Sequence, residues 1–138
     1  MARRPRTHWL LLCLLVSPVA IQAEVASRTP DQLRNMASTI ITGTVQQIYE
    51  VVEISDGFET RDRVAEISVQ STDKGVEGAP LVYARYWSRR WIARTAPPTT
   101  GYGHRDVPTK GDKVQVFLTH AEDGGLDVVY PNGFQTPD

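Results

Sequence analysis

The sequence predicts an all-β fold with one short N-terminal helix, closed into a small five-stranded barrel, with a five-stranded β-sandwich as the alternative. Three observations lead there: five runs rich in β-branched and aromatic residues, turn signals between them, and a glycine inside the long first run. Closed or strongly curved sheets need such a bend, which glycine permits.

Each element has its own signature. Thr29-Pro30-Asp31-Gln32 reads as a helix start: Thr29 caps, Pro30 suits the first helical position, and Gln32 completes a capping box. The helix is expected to end near Ser38, with Leu33, Met36 and Ala37 on one face, covering an end of the β-structure. A first strand is expected over 40–54, with Gly43 inside it and the hairpin signal Asp56-Gly57 after it. The second, over 58–70, alternates Ala65, Ile67 and Val69 against Glu66 and Ser68, and Asp73-Lys74-Gly75 turns the chain. The third, over 80–87, puts Leu81, Tyr83, Arg85 and Trp87 on one face and Val82, Ala84 and Tyr86 on the other. A connection of more than twenty residues, rich in Pro and Gly, runs to Gly111; that length implies an ordered loop or a functional one. The fourth strand, over 112–120, alternates through Val114, Val116 and Leu118. A turn at Glu122-Asp123-Gly124-Gly125 leads to a fifth over 126–130. This pattern fits the oligonucleotide/oligosaccharide-binding (OB) type of barrel.

The domain organisation is a signal peptide over 1–23, a leader and short helix over 24–39, the barrel over 40–134, and a frayed tail over 135–138. Arg3, Arg4 and Arg6 precede an apolar run over 9–16, Pro18 ends that run, and Ile21-Gln22-Ala23 suits cleavage after Ala23. The run is about half the ~20 apolar residues of a membrane span, so no stable span is expected after cleavage, and the protein is expected to be exported, periplasmic or secreted. Cys13 is the one cysteine, which leaves the remaining 115 residues without a disulfide. Removing three of 15 basic residues leaves 12 against 16 acidic ones, a net charge of −4. That balance disfavours nucleic acid and anionic membrane as partners.

Ile41-Thr42-Gly43-Thr44-Val45, Asp73-Lys74-Gly75 and Gly111-Asp112-Lys113-Val114-Gln115-Val116-Phe117-Leu118 together resemble small exported bacterial proteins with netrin-module or metalloproteinase-inhibitor-like barrels. The resemblance implies the fold alone. The inhibitors bind the protease zinc through a cysteine at the mature N-terminus, and here that end begins near Glu24 with no cysteine after it. Tyr86-Trp87, Gly103-His104 and Pro131-Asn132-Gly133-Phe134 also resemble uncharacterised exported proteins of planctomycete-type bacteria.

The stretch from Tyr83 to Arg94 interleaves four arginines with four aromatic residues. Rings stack planar groups or sugars, and guanidinium forks pair with carboxylate, sulfate or phosphate. The bland duty for the same residues is Tyr83 and Trp87 in the core with the arginines as a solvated edge. Further on, Gly101-Tyr102-Gly103-His104-Arg105-Asp106 sets a histidine near an aspartate in a glycine-rich loop. The expected function is a non-enzymatic binding module for an extracytoplasmic protein or glycan, with Arg85, Trp87, Arg89, Arg90, Trp91, Tyr102 and His104 as its ligand-binding residues. No cofactor, metal or catalytic residue is expected. Two alternatives stand beside it: a small hydrolase or metal-binding protein using His104 and Asp106, the metal site needing His104, His120 and a carboxylate such as Asp106 or Asp123, and a structural envelope component.

Overall fold

A computed structural model describes residues 25–75, 77–99 and 101–138; the expected signal peptide lies outside them. The helix α1 (Pro30–Met36) begins as the capping motif requires, since Thr29 accepts from the Gln32 N–H and the Gln32 side chain accepts from the Thr29 N–H. It carries Leu33 and Ala37 into a small buried cluster with Ile40, Phe117 and Val129, closing one end of the barrel. Met36, expected on that face, is 44% exposed because the helix ends there and the chain turns into the first strand.

Among the described residues six strands follow: β1 (Thr39–Ser55), β2 (Phe58–Lys74), β3 (Leu81–Trp91), β4 (Lys113–His120), β5 (Leu126–Val128) and β6 (Phe134–Gln135). The sheet runs β1-β2-β3-β5-β4, and β4 returns to β1, so five strands close into a barrel with β3 and β5 parallel and every other neighbouring pair antiparallel. The expected all-β barrel is thus observed, and the sandwich is excluded by the β1–β4 closure. Gln135, expected in a frayed tail, pairs with Gln115 as part of β6.

Alternating residues of these strands fill the interior: Val45, Ala65, Ile67, Val82, Ala84, Tyr86, Val114, Val116 and Leu118 are all buried in one cluster. Gly43 marks the bend of β1, where a Cβ would collide with the Ser68 carbonyl oxygen and the Ile67 side chain. Register shifts around Gly43 and Val45 let β1 coil tightly, because each extra residue bends the strand.

Beyond Val45, β1 does something else. Its first part pairs with both β2 and β4, while the part from Gln47 to Ser55 pairs with β2 alone. With β3 following β2 as far as Trp91, a three-stranded extension leaves the barrel, its β1 side chains exposed on both faces and Phe58 buried at its tip. On the face continuous with the barrel interior, Glu50 meets Arg61 at 2.9 Å and Arg63 at 2.6 Å, and Glu59 meets Arg61 at 2.8 Å and Arg90 at 3.0 Å. Arg61 and Arg90 are open to solvent, which screens their share of these pairs, while Glu59 and Arg63 are largely covered.

Candidate functional site

Strand alternation builds the site on the opposite, outward face. Tyr49, Val64 and Arg85 form one row across β1, β2 and β3, and Val51, Asp62 and Trp87 form the next. The row between them, Glu50, Arg63 and Tyr86, turns inward and offers only its backbone. A cleft of about 680 Å³ lies over these rows, closed on its far side by His104, Asp127, Val128 and Tyr130.

The far wall depends on the long connection after β3. Instead of wandering, it returns alongside the strand it left: Arg89 N–H donates to the Tyr102 carbonyl at 2.9 Å, and His104 N–H donates to the Trp87 carbonyl at 2.8 Å. Gly103 is needed there, since its φ is +96° and a Cβ would lie 2.5 Å from the Trp87 oxygen. This fold-back delivers His104 into the barrel wall. The Trp87 N–H donates to His104 Nδ1 at 3.2 Å, and Nε2 lies 2.9 Å from the Val128 carbonyl oxygen. Nδ1 also lies 3.1 Å from the Trp87 carbonyl oxygen, so the ring touches the backbone of both strands and braces β3 to β5.

Trp87 stacks on Tyr130, with rings 4° from parallel and centroids 6.0 Å apart, and His104 meets both rings edge-on. Arg85 closes the cleft at its other end. Its Nε donates to Asp127 at 2.7 Å, and its two terminal nitrogens reach Asp123 at 2.6 and 3.1 Å. That fork ties the turn between β4 and β5 to β3 and holds the Asp123 carboxyl down to about 2, with the Gly125 N–H helping. The Arg85 guanidinium is pushed up by the same pair of carboxylates.

No known protein family, curated protein or solved structure matches the chain.

The seven residues singled out in the sequence therefore divide. Arg85, Trp87 and His104 converge on the cleft. The other four gather at the tip of β3, around Phe58. Trp91 packs edge-on against that ring at 4.8 Å, Tyr102 at 6.1 Å, and the Arg89 guanidinium lies 4.0 Å from its centroid while Arg89 Nε donates to the Gly101 carbonyl. Arg90 spends its charge on Glu59. These are the contacts of a packed strand end. Tyr83, a core candidate, is 51% exposed because its parity puts it outward with Leu81.

His104 and Asp106 share no hydrogen bond; both ring nitrogens face backbone groups, and Asp106 is exposed in a left-handed conformation at φ 51°. Among the described residues no three His, Cys, Asp or Glu side chains gather as a metal site would require. No helix among them is long and apolar enough to cross a membrane.

Sequence reasoning missed Tyr49, Val51, Asp62, Asp127 and Tyr130. The Asp56-Gly57 turn was the available signal for two of them, since counting back from a tight hairpin sets Val51 opposite Asp62. Asp62 is exposed, and among the described residues its carboxylate has no hydrogen-bond or ion-pair partner.

Proposed function

We propose that this chain is an exported, non-catalytic binding module that takes a ligand into the cleft on the outward face of β1, β2 and β3. The observation that carries the reading is the convergence of Tyr49, Trp87 and Tyr130 with Arg85, Asp62 and Asp127 around one opening of about 680 Å³. That size falls within the usual range for small-ligand sites, which combine an apolar lining with a few placed polar groups. By analogy of fold alone, OB barrels bind ligands on the β2–β3 face, which this cleft shares, and on the β1–β2 and β4–β5 loops, which do not line it.

The ligand class that suits this lining is a glycan. Rings offer a flat apolar surface to a sugar face, and the Asp62 carboxylate accepts hydroxyl protons. An anionic ligand suits it less well, because the Arg85 charge is already shared by Asp123 and Asp127. Nucleic acid would meet a free carboxylate on the floor where it needs cations.

The test is a glycan array probed with the fluorescently labelled protein, alongside Trp87→Ala and Asp62→Ala. Binding to a defined group of neutral oligosaccharides that both variants lose supports the reading. Array binding that survives both substitutions, or an array that stays dark, overturns it; Asp62→Ala, at an exposed position, keeps the result interpretable if Trp87→Ala folds poorly.

A further inference from the structure

The extension leaves one edge of β1 open. Beyond Val45, which exchanges hydrogen bonds with Gly111 and Asp112, no strand or loop among the described residues pairs with that edge. It is long, contains neither proline nor lysine, and carries Tyr49, Val51, Val52 and Ile54 at 52, 69, 48 and 67% exposure. Natural sheets protect such edges with charge, proline or a covering loop, because open N–H and C=O groups beside apolar side chains template another strand.

We infer that this edge pairs with the same edge of a second copy of the chain, antiparallel across a two-fold axis. The sequence of the edge is complementary to itself in one register. A two-fold axis perpendicular to the sheet sets outward residues opposite outward ones, which admits centring on Glu50, Val51 or Val52. Centring on Glu50 opposes two like charges at the axis, which is unfavourable. Centring on Val52 shortens the overlap, because Tyr49 then already faces Ser55 at the strand's end. Centring on Val51 sets Val51 against Val51, Ile48 against Ile54, Glu50 against Val52 and Tyr49 against Glu53. No acid opposes an acid in this register. The product is a continuous six-stranded sheet in which each copy extends the other's cleft at its open side, bringing Glu53 and Val51 of the second copy to the floor beside Tyr49.

This pairing stands on the strand edge and not on what the cleft binds, so oligomeric state tests it without any ligand. Light scattering after size exclusion on the full chain is expected to give a dimer, lost in Val51→Lys, which sets two ammonium groups at the axis, and kept in Tyr83→Lys, an exposed outward position away from the edge. Should Val51→Lys fail to fold, Val51→Cys in a Cys13→Ser background serves instead. Antiparallel partners directly opposite lie within the ~4.4–6.8 Å that a disulfide needs, so glutathione disulfide should link two copies through position 51 but not through Tyr83→Cys. A monomer from micromolar to millimolar concentration overturns the inference. So does a dimer that Val51→Lys leaves intact, or one that Val51→Cys does not cross-link.

Discussion

The ring of Trp87 lies 4° from parallel to the ring of Tyr130, with 6.0 Å between centroids, and this stack joins β3 to the segment that follows β5. Both rings are half-buried, and each has His104 against it edge-on. Aromatic pairs of this kind contribute about 1 kcal/mol beyond the area they bury. Tyr130→Ala is therefore expected to lower stability by roughly 2 kcal/mol, the stack plus part of the burial of one ring. Urea unfolding followed by Trp fluorescence measures it. An unchanged midpoint would mean that the stack holds nothing.

His104 carries a second prediction. Its two ring nitrogens satisfy the Trp87 N–H and the Val128 carbonyl, so His104→Ala strands backbone groups in the wall of the barrel. A buried polar group left without a partner costs about 1–3 kcal/mol. A loss in that range is expected by denaturant unfolding, with His104→Asn recovering part of it. Stability within error of wild type in His104→Ala would show that the brace is redundant.

Arg85 makes a prediction in pH. Its fork on Asp123 depresses that carboxyl from 3.8 to about 2. A depressed acid adds stability above its unfolded pKa and loses it as pH falls through the folded one, so the tie between β3 and the β4–β5 turn weakens between pH 3.8 and about 2. Carbon-detected NMR titration should place the Asp123 midpoint near 2, and Arg85→Gln should return it to the ordinary carboxylate range. A midpoint unchanged by Arg85→Gln would remove the fork as the cause. The group is exposed, so the effect belongs to the local geometry of the turn.

Why the sequence disclosed the barrel so well and its site only in part follows from the range of the interactions involved. Ala65, Ile67, Val114, Val116 and Leu118 announce their burial through alternation, a property of neighbours in the chain, and Asp56-Gly57 announces its hairpin locally. Thr29 and Gln32 state the helix start in four residues. The cleft is assembled by β3 lying parallel to β5, which brings Asp127 to Arg85 from 42 residues away and Tyr130 to Trp87. No local pattern encodes that meeting. Hence the arginines looked free to bind anions, whereas Arg85 and Arg90 are paired with carboxylates from other strands and turns, and Arg89 is laid on Phe58. Parity likewise separates the two faces of β3 without saying which one faces inward: Tyr83 and Trp87, the core candidates, lie outward, and Tyr86 on the other face is buried.

Tyr86 yields the last prediction. Its side chain is buried among the core residues, edge-on to Phe134 at 5.0 Å, and its hydroxyl is buried with no hydrogen-bond partner among the described residues. Burial pushes the phenol pKa up, so the group stays protonated and keeps a donor with nothing to accept from it. The Arg63 guanidinium lies 5.9 Å from the ring centroid, and its nitrogens are directed at Glu50 and Ser88. A buried hydroxyl in that state costs free energy that an isosteric apolar side chain does not, and the ring contacts survive its removal. Tyr86→Phe should therefore leave the fold intact and raise stability by about 1 kcal/mol, seen as a melting temperature a few degrees higher. A drop of that size would instead show that the hydroxyl is hydrogen-bonded in solution.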